Sequence, residues 1–297
     1  MAEKPAISLQ AWNWAAADVL EQARAADRLG FDTYWLAEHY VVPKEVNSDY
    51  PLAAGRARHI MSPDTHLHDL FCLLGAVAGA TQRLRVGTAI NVVPLNHPLH
   101  LARATTTLHA ASGGRLLYGT GAGWAADEFN AFGVPIAERG GRLQETFEIL
   151  RKAWAGGFFK HSGRYFDFAE LQITPAPTPI PLIGGGRSDA ALRRTAKLAD
   201  GWISYGALDL DTALQLRDRL ETLRAEAGVR DRPFEYYLRL DVASPEEADR
   251  FAREGFNHLI FWVEAFWPRD PDVPLSEKQR TLADAAARFG LEPKGAF

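Results

Sequence analysis

Eight times along this chain a short apolar run is followed by a segment with helical spacing, and no Gly/Ser/Pro-rich linker separates the repeats. The apolar runs cover 7–12, 32–40, 84–94, 115–120, 182–183, 201–205, 234–242 and 258–263. Between them, apolar residues recur at three- and four-residue intervals, the period of a helix with one buried face. Strands alternating with helices predict a parallel sheet, because parallel neighbours need a crossover connection. Eight such units in 297 residues predict an α/β chain folded as a (β/α)8 TIM barrel, a single domain over 1–297. A doubly wound sheet would place Gly-x-Gly-x-x-Gly after its first strand. Here Gly119-x-Gly121-x-Gly123 follows the fourth strand instead, with different spacing.

Local signals set the expected helix ends. Asp18 reads as an N-cap with Glu21 completing a capping box, and Gly30 closes that helix. Ser62-Pro63 reads as the start of the second helix, and 97–111 and 138–154 as the third and fourth. Later helices are expected over 188–199, 211–227 and 276–289, with one more opening at Ser244-Pro-Glu-Glu247. The stretch at about 156–181 breaks the rhythm between helix four and strand five. With Tyr165-Phe-Asp-Phe168 and four prolines in 175–181, it reads as a surface insertion, a hairpin followed by an extended arm.

The charge balance of −4 contains no block of one sign, so neither nucleic acid nor a membrane surface is expected as a partner. With no basic-then-apolar start and no apolar run near 18 residues, a cytoplasmic protein is expected. The lone Cys72, within an apolar helical stretch, reads as a small core residue. His66-x-His68 has the wrong spacing for two metal ligands on one helix face, so no metal site is expected.

In a barrel, function collects at the carboxyl ends of the strands. Those positions here include Trp12, Asn13, Trp14, Glu38, His39, Tyr40, Asn91, Gly121, Ala122, Trp124, Gly184, Gly185, Gly186, Tyr205, Asp241 and Glu264. The set is aromatic and modestly charged, suited to a flat ring whose phosphate rests on glycine turns. The two turns, Gly121–Gly123 and Gly184–Gly186 with Arg187 or Ser188, are expected to line one anion pocket. His39 is the expected acid–base residue, with Glu38 orienting it or pairing with an arginine of the 41–62 loop. Two carboxylates at strand ends, Glu38 and Glu264, keep a non-redox hydrolytic barrel open as an alternative. A ring-binding protein without turnover is a second alternative.

At this point several segments together resemble the luciferase-like monooxygenase superfamily over essentially the full chain. They are Phe31-Asp-Thr-Tyr-Trp-Leu-Ala-Glu-His39, Leu84-Arg-Val-Gly-Thr88, Ser112-Gly-Gly-Arg115, and Gly119-Thr-Gly-Ala-Gly-Trp124 with Glu128-Phe129. Phe132-Gly-Val-Pro135 with Glu138-Arg139, Ile183-Gly-Gly, Ala190-Ala-Leu-Arg-Arg and Asp200-Gly-Trp202 complete the match. The resemblance implies an oxidoreductase for a small-molecule substrate, using reduced FMN with oxygen or coenzyme F-420 for hydride transfer. It implies Thr88, Ala89, Ile90, Asn91, Thr120, Gly121, Ala122, Gly123, Gly184, Gly185, Gly186 and Arg187 as cofactor-binding residues, a cis Ala89–Ile90 bond, and a homodimer. Two positions depart from the F-420 subgroup, which commonly has Asp-His where this chain has Glu38-His39. Its sugar dehydrogenases carry a catalytic Glu where Ala122 stands here.

Overall fold

Parallel strands buried on both faces need near-continuous apolar sequence, and these strands have it. The computed structural model describes residues 4–48 and 61–293. Its main sheet runs β1 (Ala6–Ala11), β2 (Thr33–Leu36), β3 (Arg85–Thr88), β4 (Asn91–Val92), β5 (Leu116–Gly121), β8 (Leu182–Gly185), β9 (Gly201–Ala207), β10 (Glu235–Arg239) and β11 (His258–Trp262). Every neighbour pairs in parallel, β1 with β11 and β3 with β5, so the sheet closes on itself. With β3 and β4 as one stave, it is the expected eight-stranded barrel.

Alternation along each strand divides the core in two. Trp35, Leu117, Ile183, Ile203, Tyr237 and Ile260 point inward and fill the barrel. Their neighbours Tyr34, Leu36, Leu116, Tyr118, Leu182, Trp202, Leu238, Leu259 and Phe261 point outward against the helices. Gly87 lies against the Trp35 ring so closely that a Cβ there would overlap the indole.

The helices are α1 (Ala16–Leu29), α2 (Leu70–Ala80), α3 (Pro98–Ala111), α4 (Ala126–Ala131), α5 (Arg139–Ala155), α6 (Asp189–Leu198), α7 (Leu210–Glu226), α8 (Pro245–Arg253) and α9 (Leu275–Arg288). Ser244 caps α8 as expected, accepting from Glu247 N at 3.2 Å. Three expectations need correction. Helix α1 begins at Ala16 behind an uncapped Ala15, so Asp18 acts in the first turn, where its charge meets the helix dipole, and not as the cap. Helix α2 begins at Leu70, capped by Asp69 through Cys72 N at 2.8 Å. Ser62 instead closes a small turn with Thr65. Cys72 is exposed, because the apolar stripe of α2 turns Leu70, Leu74, Val77 and Ala78 inward instead. Residues 49–60, most of the expected 41–62 loop with its Arg56 and Arg58, lie outside the described residues.

The insertion is an antiparallel hairpin, β6 (Phe159–Ser162) with β7 (Asp167–Leu171), followed by the proline-rich arm. Glu145 of α5 ties it down, accepting from Phe166 N at 2.8 Å and pairing with buried His161 at 2.9 Å. Among the described residues no helix is long and apolar enough to cross a membrane.

One interaction fastens α1 to the entry of β3. Buried Asp27 accepts N–H bonds from Gln82 (2.9 Å), Arg83 (2.9 Å) and Leu84 (2.7 Å). Burial alone would push the Asp27 carboxyl up, but these donors outweigh it and hold it below the usual range. A depressed carboxyl contributes stability above the unfolded-state value and loses it as pH falls through the folded one. Asp27→Ala should therefore cost on the order of 2 kcal/mol at pH 7 in urea denaturation. The difference from the unaltered protein should shrink below about pH 4.

Candidate active site

At the carboxyl end of the barrel lies a cavity of about 690 Å³. One wall comes from a local irregularity. Val86 and Asn91 are five residues apart, yet their β5 partners Leu116 and Thr120 are four apart, so one extra residue sits between β3 and β4. Such a bulge re-aims side chains at a barrel rim. Consecutive residues Ala89 and Ile90, joined by a cis bond, both line the cavity. Facing them are the turn Gly121, Ala122, Gly123 and Trp124, and Gly185, Gly186 and Arg187 after β8. The two turns lie side by side because Thr120 pairs with Gly184.

Thr88, Asn91, Thr120 and Gly184 belong to the same strands but are not among the lining residues. Thr88 donates to Gly119 O and Thr120 to Ile183 O at 2.5 and 2.8 Å, so both hydroxyls stitch the barrel wall. A Cβ on Gly184 would strike Thr195 of α6, which places that face against the helix layer. A Cβ on Gly185 would come within 2.9 Å of Thr120 O. Enlarging Gly185 therefore disturbs the barrel itself as well as the cavity.

Strand β2 stops at Leu36, so the in–out alternation no longer governs Glu38 and His39, and both reach the cavity. The expected bond between them is absent. Glu38 turns to β4, accepting from Asn91 Nδ2 at 2.7 Å and Val92 N at 2.6 Å. His39 instead meets Glu128 of α4, Nδ1 to Oε2 at 2.8 Å, and Tyr40 N donates to the other oxygen at 2.6 Å. The imidazole is wedged between the edges of Trp12 and Trp124, with centroids 5.2 and 5.4 Å away. Burial pushes the Glu38 carboxyl up to about 7, against the hydrogen bonds that favour its anion.

A different chemistry occupies the far side. Ser188 caps α6 through Ala191 N at 3.3 Å. Ser188, Ala190 and Ala191 line the cavity together with Arg139 and Gly140, the first residues of α5. Between these two helix starts lies Arg194, nine-tenths buried, whose only bond among the described residues is to Gly140 O at 3.3 Å. Burial without a carboxylate partner pulls it down to about 10, still a cation at neutral pH. The start of α6 beside a buried guanidinium makes a site for an anion, whereas at the start of α5 the Arg139 N–H is already bonded to Ile136 O.

On β10, Arg239 lies over Trp262 at 4.6 Å and donates to Gln10 Oε1. Gln10 Nε2 donates in turn to Ala89 O at 3.0 Å.

Gln10, Glu128, Arg194, Arg239 and Trp262 were not picked out as site residues from sequence. Gln10 and Arg239 interrupt apolar strand runs, and Arg194 follows buried Ala191 at helical spacing, so each carried a signal. Asn13, Trp14, Asp241 and Glu264 are not lining residues of this cavity. Glu264 pairs with Arg269, so the carboxylate pair that hydrolysis would need is not assembled. Among the described residues no cluster of His, Cys, Asp or Glu is placed to hold a metal ion.

Comparison with known proteins agrees with this fold. The chain is 34% identical over 263 residues to the uncharacterized protein Rv0940c of Mycobacterium tuberculosis, covering 88% of this chain and 90% of that one. In fold it is similar to the monooxygenase RslO1 from Streptomyces bottropensis, with a TM-score of 0.72, 18% identity, and 95% and 98% of the two chains covered. It is similarly close to an F-420-dependent secondary alcohol dehydrogenase, with a TM-score of 0.75, 17% identity, and 96% and 100% covered. The family model described as luciferase-like monooxygenase matches residues 4–295. The chain belongs to the luciferase-like monooxygenase family.

Proposed function

We propose that this protein is an oxidoreductase for a small organic substrate, using FMN or coenzyme F-420 bound in the barrel mouth. The observation that carries the reading is Arg194, a buried cation with no carboxylate partner among the described residues, set between two helix starts. Membership of the family supports the redox class, and the structural neighbour described as F-420-dependent supports the deazaflavin option.

In this reading the cofactor phosphate would be held by Arg194, Ser188 and the N–H groups at the start of α6. The ring would lie among Ala89, Ile90 and the Gly121–Gly123 turn, all of which line the cavity. When bound, the cofactor supplies hydride or oxygen chemistry. The protein's own part is to exclude water with Trp12, Trp124 and Trp262 and to handle protons at His39. Because Nδ1 of His39 is engaged by Glu128, Nε2 is the nitrogen that exchanges a proton with substrate. Glu38, ionising near neutral pH, adds a second proton store beside the same cavity.

Expression in a host that makes both cofactors, followed by mass spectrometry of the released ligand, should find FMN or F-420. Binding of neither would overturn the reading. Arg194→Met should weaken that binding about 10- to 100-fold, the loss of one charged hydrogen bond or two. His39→Ala should bind cofactor within a few fold of the unaltered protein but turn over ~10²–10⁴-fold more slowly in steady-state assays. Infrared difference spectra should show a protonated carboxyl band that disappears with a midpoint near pH 7 and is missing in Glu38→Gln.

A further inference from the structure

We infer that Glu128 is the positioning residue for His39, fixing which nitrogen of the imidazole carries the proton. The inference rests on the role given to His39 above. Glu128 is 1% exposed, at the first turn of α4, and each of its oxygens has one partner: His39 Nδ1 at 2.8 Å and Tyr40 N at 2.6 Å. A carboxylate accepts hydrogen bonds and donates none. The Nδ1 facing it must therefore carry the proton, which in the neutral ring leaves Nε2 with its lone pair free.

The bond to Tyr40 N makes this more than a contact between two side chains. It pins the backbone next to His39 to the same carboxylate, so ring and main chain are located by one group. The preceding residue of α4 holds the following part of the chain. Asp127 accepts from Asn47 N at 2.9 Å, Ser48 N at 3.0 Å and Ser48 Oγ at 2.8 Å. Two adjacent acids of one short helix thus grip residues 39–40 and 47–48, some 80 positions earlier in sequence. Edge contacts from Trp12 and Trp124 limit rotation of the ring but have no preference between its tautomers. The choice of tautomer falls to Glu128.

The consequence is directional. Neutral His39 enters the reaction as a proton acceptor at Nε2, and it donates there only after taking a proton from substrate or solvent. Without Glu128, a neutral imidazole relaxes to its usual preference for the proton on Nε2, and the acceptor is lost.

The test is a long-range proton–nitrogen NMR spectrum of the full chain labelled with nitrogen-15 histidine, at alkaline pH and without cofactor. The His39 signals are identified by their loss in His39→Gln. The expected spectrum shows a protonated Nδ1 and a bare Nε2, and Glu128→Ala should reverse that pattern. A protonated Nε2 in the unaltered protein would overturn the inference, and so would a His39 signal that Glu128→Ala leaves unchanged. If Glu128→Ala does not fold, the spectrum of the unaltered protein still decides. In turnover, the double variant should lose no more than His39→Ala alone, because both substitutions remove the same acceptor. A result against Glu128 in the spectrum leaves the oxidoreductase reading standing, and failure to bind either cofactor leaves the spectrum valid.

Discussion

Closure of the sheet through the pairing of β3 with β5 is the constraint on which the rest of the molecule depends. Once the strands form a ring, their carboxyl ends share one mouth and the segments after them must meet there. The mouth is shaped by the one place where the ring is irregular. The extra residue between β3 and β4 breaks the in–out alternation, so Ala89 and Ile90 both project where a regular strand would offer one side chain. Gln10 of β1, beyond β2 in the sheet, holds that irregular backbone by donating to Ala89 O, and it is itself tied to Arg239. Bulge, amide and guanidinium form one connected wall.

Charge is distributed through the cavity with economy. Its two carboxylates are committed to neighbours, Glu38 to the backbone and side chain of β4 and Glu128 to His39 and Tyr40. Neither is spent on Arg194. A buried guanidinium left in that condition carries a desolvation penalty that an anionic ligand offsets, and the start of α6 adds its donors at the same spot. The cavity therefore has an anion-seeking end and a proton-handling end with an apolar slot between them. A flat ring carrying a phosphate has the same three-part character.

The sequence was most informative where chemistry repeats. Eight alternations of apolar run and helical spacing were enough for the barrel, and the two glycine turns were found on neighbouring strands because barrel order follows chain order. The resemblance added the family and the cis bond at Ala89–Ile90, both present. The insertion was legible because four prolines and an aromatic cluster fit neither period. Less legible were the ends of elements. Asp18 and Ser62-Pro63 are good cap sequences, yet α1 and α2 start elsewhere, because packing against the barrel sets where a helix begins and local propensity only biases it. Cys72 was misplaced for a related reason: its neighbours are apolar, but the helix phase turns it outward.

What the sequence by itself determined is the architecture and the neighbourhood of the site, since periodicity is a local property and strand ends are its boundaries. Partners across 50 to 90 residues depend on tertiary structure, because no spacing rule connects side chains brought together by barrel closure. Glu38 and His39 are adjacent in the chain and would be expected to act on each other. In the folded protein the end of β2 at Leu36 frees them to diverge, one to Asn91 and the other to Glu128. The same closure brings the start of α5 against Arg194 of α6, turning an ordinary helical arginine into the buried cation of the proposed anion site.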